Sequence, residues 1–239
     1  MILTAHQPAY LPWLGLFHKI ALSDKFIFFD QVQYQPKSFS NRNSIKTNQG
    51  KLLLTVPVFT KGYRDKKFSE IAINNALPWK RKHWRAIEVN YAKAPCFKAY
   101  SDFFEDVYKK EWEYLADLNL YMLTWLLETL GIAVPIERAR DYAFGGHGSD
   151  LVLDMCVQLG ADVYIFGEKG KDYANIQSFQ HAGVCPVFQS YSHPVYRQEF
   201  GPFASHLSII DLLFNEGSRS LEILMSNNIT REQMLLAVG

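Results

Sequence analysis

Several runs of this chain concentrate side chains able to hold charge or move a proton. The first is His6-Gln7-Pro8, which ends a short apolar run and precedes a proline-opened helix. Imidazole titrates near neutral pH, and a helix N-terminus offers oriented N–H groups, so His6 there suits a phosphate or carboxylate, or general acid/base work. The competing reading is a histidine that only ties down its loop. Gln7, Tyr10 and Trp13 lie in the same run as substrate contacts. The second run is polar and irregular, with Gln33, Arg42, Asn43 and Lys46. Guanidinium and ammonium groups flanked by amides grip carboxylates or phosphates, but the same residues also serve as the charged edge of an exposed hairpin. The third is Gly167-Glu168-Lys169-Gly170-Lys171-Asp172-Tyr173, where Lys169 and Tyr173 are the candidates and two glycines allow close backbone approach to a ligand. It lacks the GxxxxGK[ST] spacing of a phosphate-binding Walker loop, and an ordinary turn fits it equally well. The fourth carries His193, Tyr196 and Gln198, then Asp211 inside an apolar helical run. A buried carboxylate needs a partner, so Asp211 either meets substrate or ties its helix to a serine or arginine.

These side chains need a frame to hold them. Residues 1–5 and 26–29 read as buried strands, with a helix over 12–22 between them. Such a βαβ unit is right-handed and parallel, and ligands sit beyond the carboxyl ends of its strands. His6 and Asp30 both fall there, which makes Asp30 a fourth catalytic candidate beside His6, Lys169 and His193. The run 52–58 reads as a strand paired with 37–46, and 71–73 as a further short strand. Aromatic residues at helical spacing predict three helices between Trp79 and Leu130, Pro95 separating the first two. Strands follow at 136–139, 161–166 and 187–188. A helix over 151–159 takes Ser149 or Asp150 as its cap and Gly160 as its stop, a short helix runs to His181, and two more cover 207–215 and 221–226. The expected fold is α/β, a Rossmann-like, mostly parallel sheet formed by 1–78 and 131–239, with 79–130 as an inserted helical lobe. Residues 1–5 and 161–166 should share that sheet.

Composition narrows the function. Lys+Arg total 25 against Asp+Glu 24, so the basic excess of a generic nucleic-acid binder is missing. Three cysteines, far apart and without CxxC, argue against disulfides, and the histidines show no HxxxH or HxH spacing, so no metal motif is present. Neither an export signal nor a run long enough to span a membrane is read, and the expected setting is the cytoplasm.

With these residues in view the chain resembles the WbqC-like protein family. The carriers are His6-Gln7-Pro8-Ala9-Tyr10-Leu11-Pro12-Trp13-Leu14-Gly15, Ser23-Asp24-Lys25-Phe26, Arg42-Asn43, Pro78-Trp79, Pro194-Val195-Tyr196-Arg197-Gln198, and the run from Leu207 to Asn215. The resemblance implies a role near surface-polysaccharide (O-antigen) or specialised-metabolite assembly. The stretch from Gly160 to Lys169, with Lys171-Asp172-Tyr173, is also similar to pantothenate synthetases, ATP-using nucleotidyl transferases of HUP-type fold. Their HxGH pair is replaced here by Ala9-Tyr10-Leu11-Pro12. ATP is the one cofactor this likeness brings forward.

The expectation is an acyl or aminoacyl transferase or ligase acting on an amino-sugar or similar amine. The alternative is a non-catalytic carrier or scaffold for a nucleotide-sugar. The partner is then a small molecule, a nucleotide-sugar or an amino acid. His6, Asp30, Arg42, Lys169 and His193 are expected to converge on one cleft lined by Tyr10, Trp13 or Tyr196.

Overall fold

The structure is a computed structural model that describes residues 1–238. It begins with β1 (Ile2–His6), α1 (Leu14–Ala21) and β2 (Lys25–Phe28), the expected βαβ unit. β1 pairs β2 in parallel from Leu3↔Lys25 to His6↔Phe28. α1 stops where the Leu22 and Ser23 amides and the Ser23 hydroxyl turn back to its last carbonyls, and the Asp24 carboxylate then takes the Ile2 N–H at 2.7 Å. β3 (Arg42–Thr47) and β4 (Gly50–Thr55) form a separate antiparallel hairpin. Three helices follow: α2 (Trp79–Tyr91), α3 (Phe97–Lys109) and α4 (Leu115–Leu130). The chain then returns to the sheet through β5 (Ile136–Arg138), α5 (Ser149–Leu159), β6 (Val163–Phe166), α6 (Ile176–His181) and β7 (Cys185–Phe188). It ends in α7 (Ile209–Glu216), α8 (Ser220–Met225) and α9 (Arg231–Val238).

The main sheet has five strands in the order β5-β2-β1-β6-β7, and every pairing is parallel. In order of appearance this is third-second-first-fourth-fifth, the doubly wound arrangement of a Rossmann-like fold. The three central strands β2, β1 and β6 are buried on both faces, as in parallel sheets with helices on each side, while the edge strands β5 and β7 are partly exposed. Ile2, Val163 and Ile165 pack against Leu22 and Met234, and Phe26 and Phe28 pack with α1 and α4. The alternating residues Leu3, Ala5, Ile27, Tyr164 and Phe166 pack against α5 and α6 on the other face. Residues of α2, α3 and α4 belong to the same buried cluster as Phe17, Phe26 and Phe214.

Three local expectations are corrected. Residues 71–73 form no strand, because they meet only isolated bridges, Val58↔Ile73 and Ala72↔Tyr114. α5 is capped by Gly148 rather than by Ser149 or Asp150; the Ser149 hydroxyl instead accepts the Asn175 N–H at 2.8 Å. α9 was not anticipated: Met234 is its buried anchor, while the apolar Leu235 and Leu236 beside it are exposed, so the run shows no amphipathic period. Among the described residues no helix is long and apolar enough to cross a membrane, and all three cysteines are free.

The two glycines after β6 differ. A Cβ on Gly170 would lie 2.5 Å from the Phe166 Cβ, whereas one on Gly167 would meet nothing within 4 Å. Gly170 is therefore required by the protein's own packing, and the expected close approach there is to Phe166. Gly170→Ala should cost about 1–3 kcal/mol in urea unfolding. Gly167→Ala, at φ −69°, should stay within about 0.5 kcal/mol of the parent.

Candidate functional site

The strand order reverses at β1: the next two strands in sequence add on one side of it and the last two on the other. A crevice opens at such a switch point beyond the carboxyl ends of the flanking strands. Here those strands are β1 and β6. Their ladder ends at Thr4↔Ile165, whereas β1 stays paired to β2 as far as His6↔Phe28. Backbone groups alternate sides along a strand. The Ile2 and His6 carbonyls bond toward β2, so the Ala5 carbonyl points toward β6, past the last rung. It accepts instead from the Lys19 ammonium of α1 at 2.9 Å.

Lys19 is only 3% exposed. Burial alone pulls its pKa down to about 7, and among the described residues no carboxylate faces it. His6 is half-buried beside it. Burial first, and then the Lys19 charge, lower the His6 pKa from 6.5 to about 3. Its Nδ1 lies 2.6 Å from the Gln7 carbonyl. A carbonyl only accepts, so Nδ1 carries the hydrogen and Nε2 presents a lone pair. That Nε2 has no protein partner among the described residues. Trp13 packs edge-on to the imidazole, ring centres 5.1 Å apart, and Phe39 lies 5.8 Å beyond it. The opposite lip is the turn Glu168–Asp172, carrying exposed Lys169, with half-exposed Tyr173 after it. The structure thus brings His6, Gln7, Trp13 and Lys169 to one edge of the sheet. Burial favours the neutral form of His6, and the ionisable group next to it is the buried Lys19 ammonium.

Other candidates are engaged in scaffolding. Asp30 ends β2 with no exposure, and its Oδ2 accepts Arg138 Nη2 at 2.7 Å and Nε at 2.9 Å. Arg138 also reaches Asp117 at 2.9 Å, so this pair locks β2, β5 and α4 together. Asp211 accepts from Tyr91 at 2.7 Å, Tyr196 at 2.8 Å and Gln198 at 2.7 Å, and burial still pushes its carboxyl above the usual range. The Lys46 ammonium donates to Gln198 at 2.9 Å and to the Pro202 carbonyl at 2.7 Å. Lys46, Tyr196, Gln198 and Asp211 therefore form a satisfied network joining β3, α2, α7 and the 194–202 loop. Asn43 donates to the Leu11 carbonyl at 2.6 Å, holding a buried leucine at φ 44°. Gln33 binds the Arg64 carbonyl on the surface, and Arg42 touches the Ser38 carbonyl in the segment that carries Phe39. His193 packs with Tyr196, Phe203 and His206, its Nδ1 on the Pro194 carbonyl. None of these contacts draws Asp30, Arg42 or His193 to the His6 ring. A groove of about 530 Å³ between α4 and the approach to β5 has only Glu128 and the engaged Arg138 as charged lining.

Lys19 was not singled out in the sequence. The available signal was its position three after Leu16 and four before Ser23, on a helix buried at every residue from Leu14 to Ile20. A charge on an apolar helix face requires an explanation.

A family model described as the WbqC-like protein family matches residues 7–223. The uncharacterized protein Rv1507c of Mycobacterium tuberculosis is 34% identical over 220 residues, covering 91% of this chain and 95% of its own length. No solved structure matches the chain.

Tyr10, expected at the cleft, is fully buried and bonds His83 Nδ1 at 2.8 Å and the Tyr108 hydroxyl. Burial lowers the His83 pKa from 6.5 to about 4. Above pH 6.5 folded and unfolded His83 are both neutral. Below it the unfolded chain takes up the proton first, so stability falls as pH falls, until about pH 4. The slope approaches ~1.4 kcal/mol per pH unit. His83→Gln should remove about 2 kcal/mol of the stability lost between pH 7 and pH 5, read from urea midpoints at each pH.

Proposed function

The chain belongs to the WbqC-like protein family, and from that premise we propose that it is a small-molecule group-transfer enzyme, an acyl or aminoacyl transferase or ligase acting on an amine. The observation that carries the reading is the neutral His6 with a bare Nε2 at the switch-point crevice. A neutral imidazole acceptor orients an N–H or O–H nucleophile so that its lone pair faces the acyl carbon. Trp13 and Phe39 provide an apolar wall, as small-molecule sites commonly have. Gly167 leaves open space for the ligand opposite His6, and Lys169 lies at the rim to meet negative charge on the leaving side. An amino-sugar of surface-polysaccharide assembly, or a specialised-metabolite amine, is the acceptor class in keeping with the family, and ATP is the candidate activator.

A non-catalytic carrier of a nucleotide-sugar is the second reading. It is favoured by the full engagement of Asp30 and Asp211, which leaves neither free to orient a base.

A thermal-shift panel of ATP, nucleotide-sugars, coenzyme A and amino acids tests both. A ligand at a hundred times its Kd stabilises by about 2.7 kcal/mol, which for a chain of this size raises Tm by roughly 5–10 °C. The ligand found is then incubated with an amine and the mixture examined by mass spectrometry. Turnover supports the enzyme, and saturable binding without product supports the carrier. His6→Gln should lower turnover by about a hundredfold with little change in Tm. A variant that instead loses stability without any change in turnover would return His6 to a loop-holding role.

A further inference from the structure

We propose that Lys19 is the binding residue for an oxyanion, the carboxylate or phosphate of the ligand seated between β1 and β6. The inference rests on that crevice being the ligand site and adds the class of ligand it takes.

Lys19 is exceptional among the buried charges of the fold. Asp30 has its arginine and Asp211 has three donors, while Lys46 donates to an amide and a carbonyl and lies near the Asp211 carboxylate. Lys19 has one neutral carbonyl, and burial is the sole influence on its charge. An ammonium removed from water without a counter-charge is costly, and a fold that keeps one has either a hidden partner or a ligand that brings one. Its location decides between these. The carbonyl it touches is the backbone group left over where β1 and β6 part, and its charge is felt by His6, which solvent still reaches. The ammonium therefore lies beneath the edge of the sheet that carries His6. An oxyanion entering beside His6 would take the remaining N–H groups of Lys19 and place a neighbouring N–H or O–H of the same ligand on His6 Nε2. An amine-bearing or hydroxyl-bearing acid, or a phosphorylated sugar, has that pairing of groups.

The test is calorimetric titration of the full chain at pH 7 with pyrophosphate and with succinate, which separate phosphate from carboxylate. Wild-type protein should bind at least one of them. Lys19→Met should weaken that binding by about 10- to 100-fold. Its Tm should stay within a few degrees of wild type, because losing the unpaired charge is stabilising while losing the donor to the Ala5 carbonyl is destabilising. Lys19→Gln keeps a donor for the Ala5 carbonyl and should show the same loss, which covers the case in which the methionine variant does not fold. Equal binding by wild type and variants overturns the assignment. If His6→Ala alone then loses the anion, the crevice reading stands and only Lys19 falls. If wild type binds neither anion and Lys19→Met melts lower, Lys19 is a plug for the Ala5 carbonyl and the proposal is wrong.

Discussion

A parallel sheet wound outward from a central strand has to open where its order reverses, and opening leaves backbone groups without ladder partners. This constraint shapes the molecule around it. The β1–β6 ladder stops at Thr4↔Ile165, and the Ala5 carbonyl is left beyond the last rung. A buried carbonyl without a donor costs free energy comparable to a lost hydrogen bond. Thr4 and Lys19 answer locally: the threonine hydroxyl bonds the Ile165 carbonyl at 2.7 Å, and the ammonium bonds Ala5. Choosing an ammonium for a neutral acceptor solves the backbone problem and creates an electrostatic one, since a hydroxyl or amide would have satisfied the carbonyl without a buried charge. His6 then becomes neutral under the combined effect of its burial and that charge.

The remaining buried charges show what the fold does when it uses charge for architecture. Arg138 forks onto Asp30 and continues to Asp117, so one side chain fixes the ends of two strands against a helix. Asp211 gathers Tyr91, Tyr196 and Gln198 around α7, and Lys46 closes the ring through Gln198. Partial removal of such networks is strongly destabilising because it strands a charge, while the complete network contributes mostly specificity of arrangement. The hairpin β3–β4 is held to the α1 entry loop by Asn43, whose amide donates to the Leu11 carbonyl at 2.6 Å, and to the start of α7 by the Ser208 N–H, which bonds the Ser44 carbonyl at 2.9 Å. The polar residues of the hairpin that look ready for a ligand in sequence are mostly consumed in this way.

That difference explains how much was legible in the sequence. Buried strands and amphipathic helices announce themselves through neighbours, so β1, β2, β6, α5 and the three helices between Trp79 and Leu130 appear within a residue or two of their expected bounds. The placement of His6 and of the loop after Phe166 at strand ends was readable because position at a strand end is also local information. Asp30, Tyr10 and Asp211 were not separable from them. Their partners lie 108, 73 and 120 residues away, in Arg138, His83 and Tyr91, and no local pattern names a partner at that range. Lys19 was hidden for the opposite reason. A lysine in a helix is ordinarily solvated, and only burial of every neighbour from Leu14 to Ile20 makes it unusual.

Charge balance bears on how the proposed anion site would work. With 25 basic against 24 acidic residues, the chain has no net field to draw an anion from a distance. Attraction must come from groups met at contact, where low dielectric strengthens them and salt screens them little. A recessed ammonium near its own pKa at neutral pH suits that regime. An approaching anion stabilises the charged form of Lys19, and that charge in turn strengthens the contact. On the proposed reading, proton uptake and anion binding are linked at one residue, and the same electrostatics that make a buried, unpaired Lys19 costly would favour an oxyanion over a neutral or cationic ligand.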